Sequence, residues 1–520
     1  MAVRSINLPF RHDAVFNTQS GKQPIVDIRR SLGVSLASRI WGAGLSILVV
    51  PVYVRILGIE SYGLIGLFAS LQVLISFLDF GLGTTLIREF GRLAGSPDGR
   101  QEMRDITRTC EIVYLVVGCL IGVCLELLAP WLLDHWLTLD QMNRDEAARA
   151  LVWGAIALAV QWPVSLYGAG LEGLQRQTTL GLLSATAVTG RVLLTLSAIG
   201  LISPTLEIFF AANAIGALGH TIAGRAVLWR TLGPSGRPAR LLPKFLSRSR
   251  GFAGAMTAIS LTSIILTQLD KVILSTVLAL PDFGVYALTS ALAGGLYVLI
   301  GPVFGILYPH LCSLLAKGNT AETTNSYHLA TQFLAFLLVP AVAVVAFFSR
   351  DILFVWTGNA GISERAHWPL IFLFAGNAIN GIMNAPYALQ LASGWPGLAL
   401  ISNLAAVIVL APVTYFLAIN YGPAGGAVAW LLLNICFILV APQVMHRRLL
   451  IGEKLKWYIH DIGRAVMAAA AVVTMLWSIL PAMDSRPMLG LTVVGVWLAA
   501  VTATGFALPA IRLRLQGLYR

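Results

Sequence analysis

The chain has 520 residues, 57% of them hydrophobic and 12% charged, and it carries a formal net charge of +12. Soluble domains carry about 25% charged residues, so a chain this apolar cannot cover itself with polar surface and must present much of it to lipid. That excludes a soluble enzyme, and it makes the basic excess a matter of membrane topology rather than a nucleic-acid patch.

No apolar run lies within the first 30 residues, which argues against a cleaved signal peptide and makes the first helix the insertion signal. From there the chain alternates apolar runs with short polar joints. A membrane-crossing helix needs about 20 mostly apolar residues. Such runs lie at 33–54, 62–82, 112–133, 148–171, 178–201, 205–228, 253–278, 283–308, 327–348, 367–391, 398–418, 423–445, 462–480 and 488–511. They are continuously apolar, unlike the alternating strands of a membrane barrel. The expected fold is therefore an all-α polytopic membrane protein with about 14 transmembrane helices.

Loop charge sets the expected orientation, because Lys and Arg are retained on the cytoplasmic side. The joint after the second run carries Arg88, Arg92, Arg100, Arg104 and Arg108. The joint after the sixth carries Arg225, Arg230, Arg237, Arg240, Lys244, Arg248 and Arg250. The opposite joints hold only Arg55, Arg144, Arg149, Arg350, Arg365 and Arg486. Both termini are thus expected inside. The 225–250 segment is also where anionic lipid headgroups would bind.

The chain also repeats itself. Residues 57–67 read LGIESYGLIGL and residues 278–288 read LALPDFGVYAL, so that Leu57 meets Leu278, Tyr62 meets Phe283 and Gly63 meets Gly284. Both segments join the first two helices of a six-helix set, which predicts two parallel six-helix repeats around a central cavity, plus two extra helices. The expected division is a cytoplasmic tail at 1–30, a first lobe at 31–230, a basic linker at 231–250, a second lobe at 251–446, helices 13 and 14 at 447–511, and a cytoplasmic tail at 512–520.

Two stretches carry a resemblance. One is Pro51-Val52-Tyr53 with Leu57 to Gly63, then Leu78-Asp79-Phe80-Gly81-Leu82-Gly83 with Arg88. The other is Leu269-Asp270-Lys271, then Phe283-Gly284-Val285-Tyr286, Pro309 and Lys317-Gly318-Asn319. In this order they resemble the oligosaccharide flippase branch of the multidrug/oligosaccharidyl-lipid/polysaccharide exporter superfamily. The resemblance, over about residues 30–460, implies a bacterial inner-membrane transporter of undecaprenyl-pyrophosphate-linked oligosaccharide for surface polysaccharide such as O-antigen, lipopolysaccharide or exopolysaccharide. Its partners would be that lipid-linked substrate and membrane lipids, together with a polysaccharide polymerase and glycosyltransferases.

The residues fit such a cargo. Each unsatisfied hydroxyl moved into hydrocarbon costs roughly 2–7 kcal/mol, so a sugar head needs a polar path. Polar stripes occur on helix 1 (Ser35, Arg39, Ser46), helix 2 (Gln72, Ser76, Asp79), helix 7 (Ser260, Ser263, Thr267, Asp270, with Lys271) and helix 8 (Tyr286, Ser290, Tyr297). Helix 10 adds Asn377, Asn380 and Asn384. Such residues also bind helices to one another. Charges within the bilayer are costly and mark functional candidates. Arg39, Arg191 and Lys271 are candidate counter-ions for a pyrophosphate, with Asp270 beside Lys271 but about 100° away around the helix. Asp79 is expected to be structural or coupling, and a fixed Arg39–Asp79 bridge is the alternative role for Arg39.

Pro51, Pro163, Pro302, Pro340, Pro386 and Pro412 predict helix bends. Trp131, Trp136, Trp356 and Trp457 fall at helix ends, as interfacial aromatics do. The five cysteines show no C-x-x-C spacing. No P-loop, nucleophile elbow or metal-ligand cluster stands out, and no cofactor is expected. A lipid II or drug–cation transporter of the same superfamily is the second reading. A polymerase or glycosyltransferase is a third, disfavoured because the outer joints are short. The expectation is a transporter rather than an enzyme.

Overall fold

A computed structural model describes residues 25–517 apart from 80, 95, 97–98, 243–244, 246–260, 263, 396, 482 and 484. The described chain is helical throughout. Its first half comprises α1 (Ile25–Leu57), α2 (Ile59–Ile75), α3 (Leu82–Leu93), α4 (Gly99–Trp131), α5 (Arg144–Gln161), α6 (Val164–Gly173), α7 (Gln177–Leu201) and α8 (Leu206–Leu232). The second half opens with α9 (264–277) and continues with α10 (Leu280–Gly294), α11 (Tyr297–Ala316), α12 (Thr320–Thr357), α13 (Ala360–Ile382), α14 (Asn384–Ala392) and α15 (Gly397–Arg448). Then come α16 (Lys454–Lys456), α17 (Arg464–Ile479), α18 (Arg486–Ala507) and α19 (Pro509–Gly517).

Among the described residues, 11 helical stretches are long and apolar enough to cross a membrane, and the described parts of the expected apolar runs fall largely on helix. The differences lie in where helices break. The eighth run divides between α10 and α11 at Gly295–Leu296, and the tenth divides at Met383 between α13 and α14. The eleventh and twelfth runs join into α15, bent at Gly422, whose φ of 60° glycine adopts without strain. Pro163 and Pro386 sit at or just beyond helix breaks, whereas Pro51, Pro302, Pro340 and Pro412 lie inside helices. The expected start of helix 7, with Ser260 and Ser263, most of the expected N-terminal tail, residues 518–520, and Lys244, Arg248 and Arg250 of the expected linker lie outside the described residues.

The repeat is physical. A Cβ added at Gly63 would collide with the Leu280 carbonyl and reach within 3.2 Å of the Gly284 nitrogen; one added at Gly284 would collide with the Ile59 carbonyl and reach within 3.2 Å of the Gly63 nitrogen. The offset that pairs Gly63 with Gly284 also pairs Ile59 with Leu280. The two lobes therefore meet by the same residues in both directions, across a local two-fold axis between α2 and α10. Further ties gather at this end, here termed the short-loop end. Thr138 O accepts from Leu280 N at 2.9 Å, and Trp136 Nε1 donates to Ser275 Oγ at 3.0 Å. Within the first lobe, the Glu60 carboxylate accepts the backbone N–H groups of Asp140, Gln141 and Met142 at 2.8–3.1 Å.

At the opposite, basic end, two buried acids hold part of the linker. Asp105 accepts from Arg237 at 2.7 Å and from the Arg240 backbone at 2.8 Å. Glu111, 1% exposed at its side chain, accepts from Arg225 and Trp229 at 2.9 and 2.7 Å. The side chains of Arg225 and Arg237 are thus engaged, Arg240 is held by its backbone alone, and the linker through Leu242 is fastened to α4. Nearby, burial raises the Glu89 carboxyl, but Arg92 and Arg88 outweigh it and hold the group below the usual carboxylate range.

The extra helices pack on α12. Val344 and Phe348 meet Val473 of α17 and Val496 and Ala500 of α18. Nearer the basic end, His328 lies between Asp461 and Glu453, Gln332 donates to Asp461 at 2.8 Å, and Trp457 donates to Thr331 at 3.0 Å. Trp457 is fully buried, which corrects its expected place at the lipid interface: its indole N–H has a protein partner inside the fold.

Gly284→Leu cannot keep the α2–α10 contact. Spin labels at Gln141 and Ala360, on first- and second-lobe sides of the short-loop end, are expected to move apart in this variant; an unchanged distance distribution contradicts the assignment of this contact as the lobe closure.

Candidate functional site: a cavity between the lobes

A cavity of about 360 Å³ lies between α2 of the first lobe and α9, α10, α13 and α15 of the second. Ser70, Gln268, Asp270, Lys271, Ser290 and Asn377 supply its polar wall. Lys271 is the cation among its lining residues. Its Nζ donates to the Thr267 carbonyl at 3.2 Å and stands 3.8 Å from Asp270 Oδ1. Asp270 is 5% exposed. Its Oδ2 accepts from the Tyr286 hydroxyl, and Oδ1 has no hydrogen-bond partner. Although neighbours on a helix diverge, both residues line this cavity, because the flexible lysine stem turns back towards its own helix. This corrects the expectation that the pair would serve different faces.

The asparagines form a ladder that leads out of this cavity. Asn377 Oδ1 accepts from Trp430 Nε1 at 2.9 Å and from the Tyr297 hydroxyl at 3.4 Å. Asn380 accepts from the same hydroxyl at 3.3 Å and donates to Asn434 at 3.1 Å. Asn384 donates to the Asn380 carbonyl at 3.1 Å and lines a separate chamber with Asn380. Part of the asparagine pattern is therefore helix-binding hydrogen bonding, as its residue types allow.

The other charges do not converge here. Arg191 belongs to the first-lobe interior, where it donates to Gln161 at 2.9 Å; its buried Nε has no partner. Gln161 and Asp79 line a first-lobe cavity of about 540 Å³. Asp79 is held by the Tyr114 hydroxyl and by Gly83 N at 3.0 Å. The expected alternative, a fixed Arg39–Asp79 bridge, is absent: Asp79 already has a hydroxyl and an N-terminal amide of α3, and Arg39 lies exposed on α1, with no carboxylate paired to it among the described residues.

Sequence reasoning missed Gln268 and Trp430 on these walls and Asn434 behind Asn380. Asn434 was visible as an amide in the middle of the run 423–445; it is fully buried and would cost free energy without a partner. Trp430 carries no signal of its own, because an indole is equally at home in an apolar core.

The comparisons fit this geometry. A model of the polysaccharide biosynthesis protein family matches residues 28–315. The chain belongs to that family. A Shigella flexneri protein that bears the name O-antigen transporter is 20% identical over 387 residues, covering 72% of this chain and 87% of its own length. Among solved structures, the lipid II flippase MurJ in an inward closed conformation is 14% identical with a TM-score of 0.67, and the match covers 95% of this chain and all of that one. An inward-facing multidrug transporter of the MATE family is 14% identical with a TM-score of 0.61, covering 80% of this chain and 95% of its own. A Vibrio cholerae MATE transporter is 17% identical with a TM-score of 0.58, covering 81% and 97%. These likenesses show that this family member has the two-lobed fold of those transporters.

Lys271→Ala leaves the buried Asp270 carboxylate without its cation. Unfolding midpoints are expected to show a loss of about 2 kcal/mol, within the scale of breaking a partly buried pair. Asp270→Asn with Lys271→Ala recovers most of it, because the amide oxygen still accepts from the buried Tyr286 hydroxyl. Equal losses in the single and double variants contradict the pairing.

Proposed function

We propose that the protein is a flippase for an undecaprenyl-pyrophosphate-linked oligosaccharide in the bacterial inner membrane, serving surface polysaccharide synthesis. The observation that carries the reading is a polar cavity with Lys271 at membrane depth, between lobes of a polysaccharide biosynthesis family member. A pyrophosphate needs a cation at depth, a sugar head needs hydrogen-bonding walls, and the polyprenyl tail can remain in lipid. The name of the Shigella relative supports the same cargo class. The longer structural match to a lipid II flippase than to the drug exporters favours a lipid-linked substrate over a soluble drug. A polymerase or glycosyltransferase partner follows from this role.

The loop cations support a reading in which the basic end, with both termini, lies in the cytoplasm. The short-loop end, where the lobes touch, then faces out, and the cavity is poised for loading from inside. An inside-negative potential favours outward movement of an anion by about 2.3 kcal/mol per charge per 100 mV. In a version lacking the native cysteines, single cysteines at 140 and 358 should react with an impermeant thiol reagent from outside, and those at 240 and 452 should not. Outside labelling at 240 contradicts this orientation.

Deleting the gene should leave lipid-linked oligosaccharide on the cytoplasmic face and remove the surface polysaccharide. Unchanged surface polysaccharide in a strain with no other flippase defeats the proposal. Complementation then reads Arg39, which we assign to first contact with the pyrophosphate. Arg39→Ala should lose most transport with an unchanged unfolding midpoint, since Arg39 has no paired carboxylate to orphan. Arg39→Lys keeps the charge without the planar fork and should retain part. A fall in midpoint with no effect on transport assigns Arg39 a structural role instead.

A further inference from the structure

The second lobe contains a chamber of about 240 Å³ that touches the central cavity through Thr267. Its polar wall is made of side-chain amides: Asn380 and Asn384 from the α13–α14 break, Gln390 from α14, and Asn403 from α15. Among the described residues, no Asp, Glu, Lys or Arg lines it. Gln390 is 3% exposed, yet its side-chain amide has no hydrogen-bond partner among the described residues, and neither does that of Asn403. Asn384 spends its N–H on the Asn380 carbonyl, which leaves its oxygen facing the space. A carboxamide offers two donors and two acceptor lone pairs. Helix binding accounts for Asn380 and part of Asn384, but not for the amides of Gln390 and Asn403, which are left to face the space.

An aromatic row borders the same space. Tyr387, which lines the chamber, stacks on Phe304 with ring centroids 5.7 Å apart, and Phe304 stacks on Tyr308 at 5.9 Å. Tyr387 and Tyr308 are both partly exposed. A pyranose ring presents an apolar C–H face and a rim of hydroxyls. Flat aromatic faces meet the first, and neutral amides, which both donate and accept, meet the second.

We propose that this chamber is a saccharide subsite, taking one uncharged sugar of the transported head group while Lys271 holds the phosphate. The proposal rests on the reading of the protein as a carrier of a lipid-linked oligosaccharide. The volume lies below the roughly 300–1,000 Å³ of drug-sized pockets, the scale of one ring rather than a chain. The missing charges set the specificity: a uronic acid entering here would bury a carboxylate opposite no cation, which is costly.

Saturation-transfer NMR on the full chain in detergent micelles tests this, with glucose, N-acetylglucosamine and glucuronate as probes. Transfer to at least one neutral sugar is expected, with little to glucuronate. Gln390→Leu and Asn403→Leu should each weaken it by roughly tenfold, the scale of a lost amide hydrogen bond or two. Because Gln390 is buried, Asn403→Ser at a half-buried position is the milder companion, checked by an unchanged elution profile. No transfer to either neutral sugar, equal transfer to glucuronate, or transfer indifferent to all three variants overturns the proposal. A separate arm follows phosphorus line broadening of inorganic pyrophosphate, expected to disappear in Lys271→Ala. Pyrophosphate binding without sugar binding sinks the chamber alone. Sugar binding without pyrophosphate binding keeps the chamber and removes the phosphate role of Lys271.

Discussion

Two glycines set the geometry on which the rest depends. Gly63 and Gly284 let the backbones of α2 and α10 touch, each refusing a Cβ because the other helix's carbonyl occupies its place. Helices meeting this closely at one end must diverge at the other unless they run parallel, and the cavity with Lys271 begins where they part. In lipid, no hydrophobic force presses helices together, so small residues at a crossing are what permit contact. The same pair fixes the relation between the lobes, since Ile59 and Leu280 take equivalent places on either side.

Charge placement follows a second economy. Several buried acids are answered within the protein: Glu111 by Arg225 and Trp229, Asp105 by Arg237, Asp270 by Tyr286 with Lys271 alongside. Among the described residues, Arg39 on α1 has no paired carboxylate, and the buried Nε of Arg191 and Oδ1 of Asp270 have no hydrogen-bond partner. Partners as well as depth therefore bear on which charges build the fold.

Much of the architecture was legible in the chain. Continuous apolar runs identify crossing helices because a bilayer demands length and internal hydrogen bonding, and the echo of Gly63 in Gly284 gave the repeat. Helix breaks were less legible. The divisions at Leu296 and Met383 occur inside apolar stretches, where nothing in hydropathy separates a bent helix from a straight one. The site was legible in part. Lys271 and Asn377 do line the central cavity, since polar groups at depth are rare enough to stand out. Arg191 misled, because its position along α7 gives depth but not the side of the lobe it faces. Gln390 and Asn403 fall in two successive apolar runs, 367–391 and 398–418, and only the fold brings their amides to one chamber.

The attachment of the last two helices has a bearing on how such a chain is assembled over generations. α12 presents His328, Thr331 and Gln332 on one face, and their partners Asp461, Glu453 and Trp457 arrive with α16 and the turn beyond it. Without the segment after α15, His328 and Gln332 would lose their carboxylate partners, and Thr331, which also bonds the Tyr327 carbonyl, would lose its indole donor. The helix pair and those residues therefore depend on one another. In a relative with only two lobes, the face of its ninth crossing helix should read apolar at the places of 328, 331 and 332.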